Sequence, residues 1–222
     1  MNTAATQQTA VVIGAGEPFG GEIAQQFLEQ QYHVVAVDGD VGVAPDGGMQ
    51  RVAMDLADRA GLGKLFAGLK PVEILVVNVP LQTERIGFLD ISDAQFKAAM
   101  QRSLLNVAGA VQCALPYLSN GARIVLVSSR GHLGAWGGAH LMAAGAGMVA
   151  LARSMALEFA GENIKVNVVA PDFIDSKWDV PAARQQVADT VSFLARADIG
   201  VNGETILVDG GRTLRMAESR RR

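Results

Sequence analysis

Short apolar runs alternate with longer amphipathic segments along almost the whole chain, and this alternation restricts the fold more than any other feature. Seven runs have the brevity and β-branched content of strands buried in a parallel sheet: Ala10–Ile13, His33–Val37, Arg51–Met54 (the weakest), Ile74–Val77, Arg123–Val127, Lys165–Val169 and Thr205–Val208. Helical patterns lie between them, over Phe19–Gln30, Arg59–Leu69, Asp93–Leu118, Ala139–Ala160 and Ala182–Ala195. The alternation predicts an α/β fold with right-handed crossovers, that is, a doubly wound, Rossmann-like parallel sheet.

The length and composition indicate one domain. The chain has 222 residues, half of them hydrophobic and 18% charged, which is enough apolar material for one large core. We place the domain at residues 9–214 and expect flexible tails at 1–8 and 215–222. The net charge of −3 and the lack of a long apolar run give no reason to expect a nucleic-acid or membrane partner. The single cysteine, Cys113, suits a reducing cytoplasm, and no metal site is expected.

A glycine-rich turn follows the first predicted strand and leads into the first predicted helix. Such a turn lets the backbone approach a pyrophosphate, and the helix N-terminus adds N–H donors and a favourable dipole. Two residues oppose tight binding, because Pro18 has no N–H and Glu17 brings a carboxylate close to the phosphates. The candidate cofactor-binding residues of the turn are Gly14, Gly16, Phe19 and Gly20.

Asp38 ends the second predicted strand, beside this turn. A carboxylate at that place accepts hydrogen bonds from the adenosine ribose and repels a 2′-phosphate. If a dinucleotide binds, we therefore expect NAD(H) to be preferred over NADP(H). The alternative for Asp38 is a carboxylate that only caps the end of the strand.

These segments resemble the short-chain dehydrogenase/reductase family over roughly residues 9–214. The turn from Ile13 to Gly20 is similar to the family's TGxxxGxG motif, and the segment Gly203–Gly211 is similar to its closing strand and turn. The resemblance implies that Asp55, in MDLAD, contacts adenine, and that Asn78, in the place of the NNAG motif, borders the nicotinamide ribose. The alternatives are a loop carboxylate for Asp55 and a structural amide between neighbouring strands for Asn78.

The catalytic tyrosine and lysine of that family are missing from this chain. The resemblance implies a helical asparagine, a serine after the fifth strand, a tyrosine thirteen positions later and a lysine four residues beyond the tyrosine. Asn106 and Ser128 match the first two, but Leu141 and Gly145 occupy the tyrosine and lysine positions. In the family the tyrosine hydroxyl transfers the proton that accompanies hydride transfer, and the lysine lowers its pKa. Structural roles are therefore the alternative for Asn106 and Ser128.

No shifted alignment restores the pair, because the only tyrosines are Tyr32 and Tyr117. His132 and His140 are the nearby side chains whose ordinary pKa lies close to neutrality. His132 lies on the loop after the serine and is the candidate substitute for the missing acid. His140 points about 100° away from the vacant tyrosine position on a helix. A surface or interface histidine is the alternative for each.

The loop after the sixth predicted strand also departs from the family. Asp172 stands where the resemblance implies a glycine whose backbone approaches the nicotinamide. Only residues 177–181 then precede the next helix, so we expect a shortened substrate lid and a more open pocket. Arg130, on the loop after the serine, is able to hold an anionic group but is expected to be solvated.

The helical segments 93–118 and 139–160 carry Ala, Gly, Met and Leu around much of their circumference. Helices of this kind need cover on more than one face. In the family they form a four-helix bundle between subunits, so we expect a homodimer or homotetramer through these two segments.

Three functions remain open from the sequence. The first is a catalytically degenerate family member with weak NAD(H) binding and a partner-dependent or sensing role. The second is a repurposed enzyme in which Ser128, His132 or the substrate itself performs a non-redox step, and this hypothesis fails if Leu141, Trp136 and Met142 fill the pocket. The third is an NAD(H)-dependent oxidoreductase that takes its proton from water or a histidine.

Overall fold

A seven-stranded parallel sheet forms the centre of the molecule. The computed structural model describes residues 7–39, 48–69, 71–79, 85–172 and 181–219. The strands lie in the order β3-β2-β1-β4-β5-β6-β7. Their bounds are β1 Thr9–Ile13, β2 His33–Asp38, β3 Gln50–Ala53, β4 Val72–Asn78, β5 Leu118–Val127, β6 Lys165–Pro171 and β7 Thr205–Val208. The predicted doubly wound sheet is confirmed, and the strand order reverses between β1 and β4, where such sheets bind ligands beyond the carboxyl ends of the strands.

Helices cover both faces of the sheet, as the crossovers require. Their bounds are α1 Gly20–Glu29, α2 Arg59–Ala67, α3 Asp93–Met100, α4 Asn106–Ala114, α5 Ala139–Glu158, α6 Pro181–Ala195 and α7 Arg212–Ser219. On one face α2, α4 and α5 form a core through residues such as Phe66 and Met148. On the other face α1 and α6 form a second core through residues such as Phe27 and Val187. Alternate residues of β1 enter the two cores, because successive strand side chains point to opposite faces.

The segment predicted as one helix over Asp93–Leu118 is divided. Ser92 caps α3 in a capping box, because its side chain accepts from the backbone N–H of Gln95 while the Gln95 side chain accepts from the backbone N–H of Ser92. A π-helical turn over Gln101–Leu105 then joins α3 to α4. A 3₁₀ turn over Leu115–Tyr117 follows α4 and leads directly into β5. Periodicity alone does not predict such a π-helical interruption.

The described residues near the two ends of the domain extend regular structure in different ways: one extends the edge of β1, and the other forms a helix. Gln8 accepts a hydrogen bond from the backbone N–H of His33 through its carbonyl and so extends the edge of β1. At the other end, the sequence placed residues 215–222 in a flexible tail, whereas the structure continues α7 through Ser219. Asp209 caps this helix, because its carboxylate accepts from the backbone N–H groups of Gly211 and Thr213 at 2.8 and 2.9 Å.

The stretch Ala139–Glu162 is long and apolar enough to cross a membrane, by length and composition alone. A core helix of a globular protein passes the same test. Here α5 packs against β6 and α3 and places Met148 and Ala152 in the core. Its apolar character is therefore explained by packing within the domain.

Candidate functional site

The glycine turn after β1 is built by close packing. Gly14 has a φ of +78°, and any side chain there would overlap the carbonyl oxygen of Asn78. A side chain at Gly20 would overlap the carbonyl oxygen of Gly14. Phe19 also has a positive φ, 74°, and its side chain is buried in the core between α1 and the sheet. Phe19 was predicted to bind the cofactor, but only its backbone belongs to the turn, because its side chain is part of the core.

Backbone donors of the turn already bind protein acceptors. A pyrophosphate must therefore compete with these protein acceptors for the same backbone N–H groups. The bonds run from Gly14 to the Val37 carbonyl (2.8 Å), from Gly16 to Oδ2 of Asp38 (2.8 Å), from Glu17 to the Gly14 carbonyl (3.2 Å) and from Gly20 to the Glu17 carbonyl (2.9 Å).

Two carboxylates and one guanidinium set the charge beside this turn. Asp38 is half-buried at the end of β2 and accepts from the turn, as described above. Burial raises the pKa of Glu17, the charge of Asp38 raises it further, and the charge of Arg102 on the π-helical turn lowers it. Glu17 therefore accepts a proton more readily than an ordinary glutamate, and it disfavours an incoming phosphate whenever it is ionised.

The structure brings Asp38 and Asp55 to the same edge of the sheet. The backbone N–H of Met54 donates to the Asp38 carbonyl at 2.7 Å, so the two aspartates follow directly on paired strands. Asp55 is exposed, and its Oδ1 accepts from the backbone N–H of Ala57 at 2.9 Å. This geometry is consistent with the predicted adenosine contacts and also with the alternative of a loop carboxylate.

Asn78, at the end of β4, faces inward. Its side chain is 1% exposed, and its amide nitrogen donates to the carbonyls of Gly14 and Pro18, both at 2.9 Å. The amide thus ties β4 to the glycine turn, which is the structural role that the sequence analysis kept as the alternative. The buried Oδ1 makes no hydrogen bond within the described part of the chain.

The residues around the vacant catalytic positions do lie together. Ser128 follows β5, is 3% exposed, and donates its backbone N–H to the Val169 carbonyl at 2.9 Å. A side-chain carbon at Gly145 would lie 3.6 Å from Oγ of Ser128 and 3.9 Å from Cβ of His132. Ser128, His132 and Gly145 therefore adjoin one another, and Leu141 lies one helical turn before Gly145 on α5.

The two candidate histidines have different surroundings. Nδ1 of His132 lies 2.9 Å from the Ser129 carbonyl. Because a carbonyl only accepts, Nδ1 carries the proton and Nε2 is the basic nitrogen of the neutral ring. His140 is buried, which contradicts the expectation of a surface residue, and its ring packs near Phe96 with centroids 6.4 Å apart. Trp136 is largely exposed and so does not fill the space beside Ser128.

Asn106 is the first residue of α4 and follows the π-helical turn. Its Oδ1 accepts from the side chain of Gln101 at 2.8 Å, across that turn. The contact supports the structural alternative for Asn106, in which the amide satisfies a helix irregularity.

An ion-paired cluster of Arg130, Asp172 and Arg212 lies at the carboxyl ends of β5, β6 and β7. Nε of Arg130 lies 2.9 Å from Oδ1 of Asp172, and the two side chains are 7% and 0% exposed. Nε of Arg212 lies 3.3 Å from Oδ2 of the same carboxylate, and this side chain is 29% exposed. The Arg130 N–H is not aligned for a hydrogen bond, so this contact is ionic.

This cluster was not predicted from the sequence, and the expectation that Arg130 is solvated is wrong, because its side chain is buried. Burying a guanidinium is costly unless an opposite charge pairs with it, and Asp172 supplies that charge. The sequence nevertheless held a sign of it: Arg130, Asp172 and Arg212 are of opposite charge and follow three strands that are neighbours in the predicted sheet. The charge of Arg130 also reaches Asp209. Although burial raises the pKa of Asp209, hydrogen bonds from Thr213 and Gly211 and this charge together hold it below its usual value.

The parallel sheet and the glycine turn at its switch point define a Rossmann-like protein with the geometry of nucleotide-binding sheets. The sequence model of the short chain dehydrogenase family matches residues 8–187. The chain belongs to that family.

Relatives and solved structures agree with this assignment. The chain is 30% identical to the 3-oxoacyl-acyl-carrier-protein reductase MabA of Mycobacterium bovis, over 92% of each chain. It is 29% identical to the 3-oxoacyl-acyl-carrier-protein reductase FabG of Escherichia coli, over 91% of this chain and 96% of that one. A short-chain dehydrogenase/reductase family oxidoreductase from Burkholderia thailandensis has the same fold, with a TM-score of 0.83, 23% identity and 97% of each chain covered. The ligand-free aldohexose dehydrogenase of Thermoplasma acidophilum superposes with a TM-score of 0.82 at 20% identity, over 94% of each chain.

The family uses NAD(P)(H), and only one end of this site fits such a cofactor. The adenosine end fits, because Asp38 and Asp55 share an edge that solvent reaches. At the pyrophosphate position, several N–H groups of the turn are bonded within the protein and Glu17 adds a carboxylate, and both features weaken phosphate binding there. At the nicotinamide end, Asn78 faces inward and Asp172 is held between two arginines. No hydride-transfer step follows from this arrangement of residues.

Proposed function

We propose that this protein is a catalytically degenerate short-chain dehydrogenase/reductase that binds NAD(H) weakly and acts as a sensing or partner-dependent subunit. The observation that carries the proposal is that a leucine and a glycine, Leu141 and Gly145, stand where the resemblance places the family's acid and its lysine, with Gly145 adjoining Ser128. A leucine and a glycine hold no transferable proton. Loss of a general acid lowers a rate by about 10²–10⁴-fold.

The nucleotide end supports weak binding with a preference for NAD(H) over NADP(H). Asp38 lies at the end of β2, where a carboxylate accepts from a ribose diol, and its negative charge repels a 2′-phosphate. Glu17, Pro18 and the self-bonded turn make binding weak, because the phosphates meet a carboxylate and occupied donors.

The assembly that we propose is a homodimer or homotetramer in the cytoplasm, formed through segments 93–118 and 139–160, without nucleic acid or membrane. Small and apolar side chains of α5, among them Ala143, Ala146, Ala150 and Leu157, are exposed on the single chain. Leu105, at the end of the π-helical turn, is half exposed as well. Exposed apolar residues concentrated on one helix favour burial against a second copy.

The test is an assay of the purified chain with NADH or NADPH and a 3-oxoacyl thioester, the substrate class that the names of the relatives indicate. We expect no turnover above the uncatalysed rate, together with NADH binding that is tighter than NADPH binding in calorimetry. Turnover at rates typical of enzymes, about 1 s⁻¹ or more, would refute degeneracy and favour a reductase with an unusual proton donor.

A non-redox enzyme is the second candidate, because Ser128 and His132 both adjoin Gly145, and Nδ1 of His132 lies against a carbonyl, which leaves Nε2 as the proton acceptor of the neutral ring. In such a step Nε2 takes a proton from a carbon next to a carbonyl and returns it elsewhere on the substrate, so nothing is oxidised or reduced. Proton exchange of a 3-oxoacyl thioester into D₂O, followed by NMR, tests it. Exchange that is lost in His132→Ala supports this candidate, and exchange no faster than in buffer eliminates it.

A further inference from the structure

We infer that the ligand of this chain is an adenosine nucleotide recognised at its adenosine end alone, because the ion-paired cluster lies at the carboxyl ends of the strands in the half of the sheet that would receive a second nucleotide. This inference rests on the proposed nucleotide binding and names its ligand class. It predicts that the nicotinamide part of NAD contributes nothing to the affinity.

The two halves of the sheet differ in what they offer a ligand. In a doubly wound sheet, each half binds one nucleotide of a dinucleotide across the switch point. The half formed by β1 to β3 presents Asp38 and Asp55 at an edge that solvent reaches. In the half formed by β4 to β6, the polar residues at the strand ends are at most 3% exposed: Asn78, Ser128 and Asp172.

The cluster links the loops that follow the strands of the second half. Arg130 follows β5, Asp172 follows β6 and Arg212 begins α7 after β7, so one carboxylate ties three consecutive loops together. A nicotinamide ring carries a neutral amide. It cannot replace Asp172 between two guanidinium groups without leaving a buried charge unpaired, which is strongly unfavourable.

The charges of the first half define the ligand further. Asp38 accepts from hydroxyl groups and opposes a phosphate on the ribose, so the ribose must keep its 2′-OH. Glu17, beside the turn, opposes a phosphate chain only when it is ionised, and Arg102 lies close enough to reduce that opposition. The ligand class is therefore an adenosine nucleotide with an unmodified ribose, such as ADP or ADP-ribose.

The experiment compares ADP-ribose, NAD and nicotinamide mononucleotide by calorimetry on the native chain. We expect ADP-ribose and NAD to bind with Kd values within about 3-fold of each other, and nicotinamide mononucleotide not to bind. NAD binding about 10-fold or more tighter than ADP-ribose would overturn the inference and leave the proposed NAD(H) binding intact. If neither ADP-ribose nor NAD binds at millimolar concentration, both the inference and the proposed nucleotide binding are refuted.

Variants test whether the cluster is the cause. Arg130→Ala with Asp172→Gly removes the cluster, and we expect NAD to gain affinity relative to ADP-ribose. The matched control, Arg196→Ala with Asp198→Ala, removes an exposed Arg–Asp pair outside the cluster and leaves the ratio unchanged. An unchanged ratio in a folded cluster variant would overturn the inference. If that variant does not fold, the comparison on the native chain decides.

Discussion

Removal of the Asp172 carboxylate should be among the most damaging single changes in this protein. Asp172→Asn keeps the size of the side chain but removes the carboxylate that lies 2.9 Å from the buried guanidinium of Arg130, and leaves Asp209 as a carboxylate whose charge still acts on it. Breaking a buried ion pair by removing one partner costs about 3–5 kcal/mol. The second partner, Arg212, is 29% exposed, so water compensates it and it adds little to that cost. We therefore expect the free energy of unfolding to fall by about 3–5 kcal/mol, most of it from Arg130.

Urea denaturation followed by circular dichroism measures this loss as a lower midpoint at an unchanged m-value. For a domain of this size, each kcal/mol lowers Tm by about 2–4 °C, so we expect a decrease of roughly 6–20 °C. Arg130→Met should cost less than Asp172→Asn, because Arg212 still faces the carboxylate. Arg196→Ala with Asp198→Ala, which removes an exposed pair, serves as the control and should leave the midpoint unchanged.

The decisive comparison is the double variant Arg130→Met with Asp172→Leu. Replacing a buried pair by apolar side chains of similar volume is often neutral or stabilising, so the double variant should be more stable than Asp172→Asn. The reasoning is refuted if Asp172→Asn loses less than about 1 kcal/mol, the range of exposed ion pairs. It is also refuted if the double variant is as unstable as the single one, because the loss would then not come from an unpaired charge.

Three further predictions concern the catalytic positions, the glycine turn and the cap of α7. The double variant Leu141→Tyr with Gly145→Lys should fold, because a Cβ at Gly145 makes only ordinary contacts. We expect it to show no NADH-dependent reduction of 3-oxoacyl thioesters while the cluster of Arg130, Asp172 and Arg212 is intact, and measurable reduction would contradict this expectation. Because the pKa of Glu17 is raised, the affinity for ADP-ribose measured by calorimetry should fall as the pH rises through that pKa, and Glu17→Gln should abolish this pH dependence. If the affinity of the variant falls in parallel, the pH dependence comes from another group. The lowered pKa of Asp209 stabilises the fold at pH values above the carboxyl's unfolded pKa of about 3.9, and this contribution is lost as the pH falls through the folded pKa. In urea denaturation between pH 7 and pH 3, Asp209→Asn should be less stable than the native chain at pH 7 and should lose less stability on acidification. An equal loss of stability with pH in both proteins would exclude this role of Asp209.

Local pattern was sufficient for most of the fold. The strand runs are brief and apolar because both faces of a parallel sheet are covered, so each was visible in isolation, including the weak one at Arg51–Met54. The segment Asp93–Leu118 was predicted as one helix because its periodicity continues through the break. The π-helical turn over Gln101–Leu105 joins α3, which packs on α5, to α4, which packs on α2 and β4, and periodicity carries no information about this packing.

The candidate site residues also fall into two groups: those predictable from local spacing and those whose contacts lie on distant parts of the chain. The replacement of the tyrosine and lysine by Leu141 and Gly145 follows from counting along the chain, and the structure places Gly145 next to Ser128. The inward direction of the Asn78 amide could only be given as an alternative, because the two carbonyls that it binds lie on another part of the chain.

The sequence by itself determined the parallel sheet, the glycine turn and the loss of the tyrosine and lysine, because each depends on residue types at fixed local spacing. Only the tertiary structure decided that Arg130, Asp172 and Arg212 form a buried cluster. The physical reason is that ion pairing acts over a few ångströms, and the distances between residues on three separate loops are set by the packed sheet that carries them.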